Sequence, residues 1–324
     1  MSWSGYWIRR ARSSAQRQTQ IFGLKVPRAL DRLLEEETLH LGLIDTLRVM
    51  AFVFFGPPRG RIRLFWHRLA DLDTPAQDRR IETLARELRE QLSAQCRVAT
   101  GAFERRSYSR DVARVPRFLE KMLYRTRPLL VVQPKHENDV LATLEFAREH
   151  RIPVFPRGVS SSAFGAAVPT RNGVVLDFSS MMEILEIDPA NLTARVQPGV
   201  RWADLASRLE RYQLAPITTP SSRFSTVGGW ASTGGLGIDG FRYGHFSRVV
   251  AAARVVLING AVLEIRGGDD GLRDFLGTEG QLGIFSELTL RGRPKPDFSS
   301  PRLAYFAAAR EAFDFVEGLI TGAH

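Results

Sequence analysis

Three short segments rich in glycine and other small residues constrain this chain more than any other sequence feature. They are PRGVSSSAFG at 156–165, the runs PSS, TVGG and STGG between 220 and 235, and GTEGQLGI at 277–284. A backbone with small side chains turns sharply and presents several N–H groups to one anion, as a pyrophosphate requires. Three such segments in one chain predict a close approach of the backbone to a large flat ligand.

Short β-branched runs alternate with helical patterns from residue 129 onward, which indicates an α+β fold. A basic, helical stretch precedes them, and a short element pair follows the prolines near residue 295. In chain order the pattern predicts a helix at 78–95, strands at 129–134, 152–158 and 173–179, helices at 137–150 and 202–212, a strand pair at 184–187 and 192–197, a hairpin at 255–265 with a type I′ turn at Asn259-Gly260, a strand at 302–306 and a helix at 309–320.

The order of these segments resembles the FAD-binding domain shared by vanillyl-alcohol oxidase, p-cresol methylhydroxylase (PCMH) and the glycolate oxidase/D-lactate dehydrogenase group. That family's first loop reads Pro-Arg-Gly-x-Gly-Thr-x-x-x-Gly, and its third segment reads Gly-Ser-Glu-Gly-x-Leu-Gly-Ile. The second segment continues here to Arg242-Tyr243-Gly244, and RVQPGVRWADL at 195–205 is similar to the family's Val-x-Pro-Gly-Val stretch. A dinucleotide-binding Gly-x-Gly-x-x-Gly that opens a helix after the first strand is missing, which argues against NAD.

The resemblance implies a two-subdomain PCMH-type FAD-binding domain over 124–294, after a helical, basic N-terminal extension (1–123). Residues 295–324 are then the beginning of an incomplete C-terminal substrate or cap domain. The resemblance implies that Arg157–Ser162 carry the pyrophosphate, that the second segment lies beside the flavin, and that the third lies against the adenosine half. The cofactor-binding residues predicted in this way are Arg157, Gly158, Val159, Ser160, Ser161, Ser162, Gly165, Pro220, Ser221, Ser222, Thr226, Gly228, Gly229, Ser232, Thr233, Gly234, Gly235, Glu279, Gly280, Gly283 and Ile284.

Two departures from the family pattern affect the expected FAD site. Ser160 stands where the family usually has glycine, so its backbone has to reach a compatible φ. If that position needs a positive φ, FAD binding is expected to weaken by about 1 kcal/mol or more. Covalent relatives carry a histidine just after the Arg-Gly turn, whereas no histidine lies between 151 and 244 here. We therefore expect non-covalent FAD.

His245 is the one catalytic candidate, because it follows Tyr243-Gly244 in a loop expected near the flavin. The alternative for His245 is a surface histidine that caps a turn, and the alternative for Arg242, which would attract a carboxylate, is a solvated arginine. The remaining histidines lack ligand spacing, and the single cysteine, Cys96, excludes a disulfide and a four-cysteine cluster, so no metal site is expected.

The net charge of +10 is concentrated at the front of the chain, where residues 1–127 hold 25 Lys and Arg against 14 Asp and Glu. A solvated arginine-rich surface is favoured over a nucleic-acid site. The apolar run at 41–56 is too short and too charged to span a membrane, which leaves a buried helix or an in-plane helix on an anionic bilayer. The expected location is cytoplasmic with peripheral membrane contact, or mitochondrial in a eukaryote, because residues 1–30 are basic and free of acidic side chains.

The predicted function is FAD-dependent oxidation of a 2-hydroxy acid such as D-lactate or glycolate, by hydride transfer to the flavin. An electron acceptor or partner subunit is expected as well. Two alternatives stay open: an FAD-binding subunit or truncated module without its own turnover, and a flavin reductase of the sterol-reductase type, which the YGHF stretch also resembles. In the hydroxy-acid group the substrate clamp lies largely in the C-terminal domain, so most catalytic residues are expected outside this sequence.

Overall fold

The computed structural model describes residues 75–112, 127–300 and 303–322. The chain divides into two units, Met1–Leu72 and Asp73–His324, and all described residues belong to the second. The basic stretch at 1–30 and the apolar run at 41–56 lie outside the described residues, so the interpretations placed on them stay predictions.

The first subdomain is a four-stranded sheet with helices. In chain order its elements are α1 (Pro75–Arg89), β1 (Arg97–Ala99), α2 (Ala102–Ser107), β2 (Leu130–Gln133), α3 (Glu137–Glu149), β3 (Val154–Arg157) and β4 (Val174–Asp177). The strand order is β1-β2-β4-β3, with β1 antiparallel to β2 and the other three strands parallel. The carboxyl ends of β2, β3 and β4 therefore meet at one edge, where ligands of α/β sheets commonly bind.

Residues before 124 form part of this subdomain. Helix α1 buries Ile81, Leu84 and Leu88 in the same apolar core as the β2 strand. Strand β1 pairs with β2 along the edge of the sheet. The first subdomain thus contains sheet residues well before position 124, and the expected beginning of the FAD-binding domain at 124 stays a prediction.

Helix α1 ends six residues earlier than the predicted 95, and the reason is a tertiary contact. The amide and hydroxyl of Ser93 both donate to the carboxylate of Asp139 on α3, at 2.9 and 3.1 Å. Asp139 is 1% exposed, so these donors, with the Lys135 and His136 amides, satisfy a buried charge. They turn the chain away from a helical path.

The second subdomain is a six-stranded antiparallel sheet with short helices. Its elements are β5 (Ile184–Asp188), β6 (Thr193–Val196), α4 (Trp202–Glu210), β7 (Leu214–Pro216), α5 (Val227–Thr233), α6 (Gly240–Tyr243), β8 (Val250–Val256), β9 (Val262–Arg266), α7 (Asp270–Arg273) and β10 (Ile284–Pro294). The strand order is β5-β6-β10-β8-β9, and β7 pairs with the far end of β10. The long strand β10 thus organises the sheet, and Trp202, Trp230 and Phe246 pack edge to face or tilted over its core.

Two local predictions were wrong. The β8–β9 connection is not a type I′ turn, because only Gly260 (φ 84°) has a positive φ, and the Gly260 amide donates to the Leu257 carbonyl at 2.9 Å. The connection is a three-residue hairpin loop that ends with a left-handed glycine. The predicted strand at 302–306 is not formed over 303–306, which are irregular and exposed and pair with no strand in the described part of the chain. The following helix, α8 (Ala309–Thr321), forms as predicted and has no buried side chain.

Within 75–112, 127–300 and 303–322, none of the helices has the length and apolar character needed to cross a bilayer.

Candidate FAD site

The first glycine-rich segment emerges from the shared edge of the parallel strands, directly after β3. Its amides from 159 to 163 donate no hydrogen bond to another group in the described part of the chain. Ser160 has a φ of 60°, in the left-handed region, which the sequence alone left open for this family glycine position. Free amides on a turn with a left-handed residue form the concave donor set that binds a phosphate.

The side chain of Arg157 stabilises the protein around this loop. Its guanidinium donates to the main-chain carbonyls of Tyr108 (3.1 Å), Arg110 (2.9 Å) and Ala167 (3.2 Å). It also lies 5.1 Å above the Tyr108 ring. Burial lowers the pKa of Arg157, and the nearby Asp177 opposes that shift. The arginine of the PRG motif therefore anchors the loop, and the amides that follow it remain for a ligand.

A buried polar network supports the same edge of the sheet. The Asp177 carboxylate, 4% exposed, accepts from the Tyr108 hydroxyl (2.8 Å), the Gln133 amide (2.9 Å) and the amide and hydroxyl of Ser179. Burial, with the Asp177 charge, raises the pKa of Tyr108, so the phenol stays a donor. The sequence interpretation missed this network, because no local pattern links residues 108, 133 and 177.

The three glycine-rich segments converge in space. A Cβ on Gly158 would stand 2.4 Å from the Thr226 Oγ1, which joins the first segment to the second. The Glu279 amide donates to the Ser232 carbonyl at 2.7 Å, which joins the second segment to the third. A Cβ on Gly280 would stand 2.5 Å from Pro156, which joins the third to the first. The small residues thus permit contacts between segments that side chains would prevent.

The second segment is built on helix α5. Thr226 caps it, with its Oγ1 accepting from the Gly229 amide at 3.2 Å, and Gly234 ends it with a φ of 69°. The amide of Gly228 donates to Pro198 at 2.8 Å, so the Val-x-Pro-Gly-Val stretch lies directly against this helix. Trp230 then packs under the glycines that follow, 3.0 Å from where a Gly237 Cβ would stand.

The predicted residues Pro220, Ser221 and Ser222 lie at the entrance to this segment. Pro220 is buried, whereas Ser221 and Ser222 are exposed. The preceding Thr219 carbonyl accepts from the Ile238 amide at 2.9 Å, so the chain here runs beside the residues that follow α5.

The third segment enters β10 through a tight turn. Glu279 (φ 57°) and Gly280 (φ 75°) are both left-handed, and Glu279 is exposed. Gly283 is buried against Val255, because a Cβ there would stand 2.5 Å from its Cγ1. Ile284 then begins β10 as a buried residue.

His245 caps a turn and also lies beside the second segment. Its Nδ1 accepts a hydrogen bond from the Ser247 amide at 3.2 Å, which is the turn-capping role expected of a surface histidine. Its Nε2 would stand 3.8 Å from a Cβ on Gly234, and His245 pairs with Leu236 in an isolated bridge. Because Nδ1 accepts this bond, the ring proton of a neutral imidazole is on Nε2.

The adjacent arginines surround Tyr243. The Arg242 and Arg293 guanidinium groups lie 5.4 and 5.7 Å from the Tyr243 ring centroid. Arg293 also donates to the Pro216 carbonyl at 3.3 Å. Neither guanidinium has a carboxylate within ion-pair distance among the described residues. No group of His, Cys, Asp and Glu with metal-ligand geometry occurs in that part of the chain either.

This arrangement fits an extended dinucleotide. It offers amides on a left-handed turn that are unpaired within the described residues, and two further segments whose glycine backbone lies next to that turn. These features supply the close approach and the anion donors that a pyrophosphate-linked cofactor needs.

Comparison with known proteins agrees. The chain is 36% identical over 209 residues to the glycolate oxidase subunit GlcD of Bacillus subtilis, covering 61% of this chain and 44% of that protein. It is 31% identical to the mitochondrial D-lactate dehydrogenase [cytochrome] of Arabidopsis thaliana, over 58% of this chain and 34% of that one. The chain therefore spans less than half the length of these relatives.

Solved structures share the fold. An alkyldihydroxyacetonephosphate synthase superposes with a TM-score of 0.60 at 25% identity, over 67% of this chain and 41% of that chain. The 6-hydroxy-D-nicotine oxidase of Arthrobacter nicotinovorans gives a TM-score of 0.53 at 22% identity, over 62% and 43%. Residues 128–266 match the family described as FAD binding domain. The chain thus carries an FAD-binding domain of the PCMH type, and its cofactor is FAD.

Proposed function

We propose that this chain is the flavin-binding part of an FAD-dependent oxidoreductase that oxidises a 2-hydroxy acid. The observation that carries the proposal is the convergence of the three glycine-rich segments at the edge of the first sheet. The relatives named for glycolate and D-lactate oxidation support the substrate class. Bound FAD supplies the hydride acceptor.

The residues predicted for the cofactor have distinct roles in this proposal. The amides from 159 to 163 bind the pyrophosphate, because they are unpaired in the described chain and fixed by the Arg157 anchor. The backbone at Gly234 and Gly235 lies along the flavin side, where side chains are excluded by neighbouring backbone and by Trp230. The turn at Glu279 and Gly280 lies against the adenosine half.

On the substrate side, Arg242 and Arg293 attract the carboxylate of the hydroxy acid, and His245 holds a proton at Nε2. The two guanidinium groups have no carboxylate partner among the described residues and flank one ring, which concentrates positive charge beside the second segment. His245 is close enough to Gly234 to contact what binds there. In this proposal most other substrate contacts come from further protein.

A second candidate function is a flavin-binding subunit that completes its active site with another chain. The observation that favours it is α8, which exposes Phe313 (74%) and Leu319 (57%) and buries no side chain. Exposed apolar area of this kind marks a surface that other protein covers.

One experiment tests both functions. The purified chain is reconstituted with FAD, its flavin spectrum is recorded, and D-lactate, glycolate and longer 2-hydroxy acids are added anaerobically, with their methyl esters as matched controls. Bleaching by the acids but not the esters supports the oxidoreductase. Stable FAD uptake without bleaching by any acid supports the subunit, and no uptake of FAD refutes both.

Two variants test the proposed substrate contacts, and acid precipitation of the protein tests how FAD is attached. Arg242→Gln is expected to weaken substrate binding without changing FAD binding, and His245→Asn is expected to slow bleaching while Ser247 keeps its cap partner. Acid precipitation is expected to release all FAD into the supernatant, since the attachment is proposed to be non-covalent. Flavin retained in the pellet would contradict that attachment.

A further inference from the structure

The two subdomains are joined by several polar contacts, among them the Lys135–Glu183 ion pair at 3.4 Å and the shorter Glu137–Arg254 ion pair. Glu137, the first residue of α3, belongs to the first subdomain, and Arg254 on β8 belongs to the second. The Arg254 Nε donates to Glu137 Oε2 at 2.7 Å and a terminal nitrogen donates to Oε1 at 3.0 Å, which makes the pair bidentate. The Ser286 hydroxyl on β10 donates to the same Oε2 at 2.5 Å. The partners are 117 and 149 residues apart in the chain.

The pair lies at the base of the segments that form the FAD site. Glu137 follows β2 at the edge from which the first glycine-rich segment also emerges. Arg254 precedes Val255, against which Gly283 of the third segment packs, and Ser286 follows Ile284 on β10. The contact therefore joins the two subdomains close to the glycine-rich segments of both.

The Glu137–Arg254 ion pair is partly shielded from solvent. The side chains of Glu137 and Arg254 are 20% and 35% exposed. Burial by itself would raise the pKa of Glu137, but hydrogen bonds from Arg254 and Ser286 lower it below its usual value. The position at the N-terminus of a 13-residue helix also favours the carboxylate. A partly shielded, bidentate pair constrains geometry more than an exposed pair does.

We propose that the Glu137–Arg254 pair is a positioning element, which sets the separation of the two subdomains and thereby the affinity for FAD. A cofactor held between two bodies binds more weakly when binding has to fix their relative position first. Neither residue belongs to the glycine-rich segments, so the pair acts on FAD through the segments it positions.

The test compares two glutamate variants that each remove one carboxylate from Arg254. Glu137→Gln removes the partner in the other subdomain, whereas Glu264→Gln removes the partner on β9 of the same sheet. The measurements are the Kd for FAD, from quenching of flavin fluorescence, the FAD dissociation rate, and the melting temperature of the apoprotein. We expect Glu137→Gln to raise Kd about tenfold, equivalent to about 1.4 kcal/mol, and Glu264→Gln to leave Kd within about twofold.

A double variant completes the test. In the background of Glu137→Gln, Arg254→Gln is expected to raise Kd little further, because the link is already lost. The proposal is overturned if both single glutamate variants raise Kd equally, since the effect then comes from the charge of Arg254 and not from the link. It is also overturned if Glu137→Gln lowers only the melting temperature. A wild-type chain that binds no FAD would instead refute the cofactor assignment.

Discussion

Ser160 gives a prediction that separates backbone strain from a buried polar group. Its φ of 60° lies in the left-handed region, which costs a residue with a Cβ about 1–2 kcal/mol. Its hydroxyl oxygen is buried and has no hydrogen-bond partner among the described residues. An unsatisfied buried hydroxyl costs a further 1–3 kcal/mol or so. Both costs fall on one side chain in the first glycine-rich segment.

Two substitutions divide these costs. Ser160→Ala removes the hydroxyl and keeps the strain, so we expect it to stabilise the apoprotein by about 1 kcal/mol. Ser160→Gly removes both, but glycine adds freedom to the unfolded chain worth about 0.4–1 kcal/mol. We therefore expect Ser160→Gly to stabilise by about 1.5 kcal/mol.

The assay is thermal unfolding of the apoprotein, in which 1 kcal/mol shifts the melting temperature by about 2–4 °C for a domain of this size. The exposed neighbouring serine, as Ser161→Ala, is the matched control and is expected to change stability by less than about 0.5 kcal/mol. Destabilisation by Ser160→Ala would show that the hydroxyl has a partner. A glycine variant that is less stable than the alanine variant by about 0.4–1 kcal/mol would show that the positive φ carries no strain. Because the positive φ is already present in the structure without FAD and the hydroxyl is shielded, the Kd for FAD is expected to stay within about threefold in both variants.

Three other sites give direct predictions. Gly158→Ala is expected to destabilise the protein by about 1–3 kcal/mol and to weaken FAD binding, because its Cβ would overlap the Thr226 Oγ1. The control Gly101→Ala, with open space around it, is expected to change neither the melting temperature nor the Kd for FAD. Burial, with the Asp139 charge, raises the pKa of Cys96 to about 12, so at pH 8 the folded protein is expected to react with iodoacetamide about a hundredfold more slowly than the protein in denaturant; equal rates would contradict this. Arg157→Lys is expected to cost about 2–3 kcal/mol and to speed hydrogen exchange around residue 108, because an ammonium cannot reach three carbonyls at once; unchanged exchange would refute the anchoring role.

The three glycine-rich segments and their resemblance to a known family were enough to predict FAD from the sequence alone, and the binding residues assigned within them stay a prediction. Where the backbone has to approach a ligand or another backbone closely, only small residues fit, so the residue type at each such position is informative by itself. The α+β fold and the helices at 137 and 202 followed from local patterns in the same way. These features are local because one residue's sterics or one helix face decides them.

The tertiary structure decided how those segments meet. The early end of α1 depends on Asp139, and the inclusion of β1 in the first sheet depends on β2. The Tyr108–Asp177 hydrogen bond and the Glu137–Arg254 pair join residues 69 and 117 positions apart. No periodicity or motif encodes such pairs, because each residue type is ordinary by itself and its partner is fixed only when the chain is folded. The glycine-rich segments therefore predict an FAD site from the sequence, whereas the long-range polar contacts within and between the two subdomains are visible only in the folded chain.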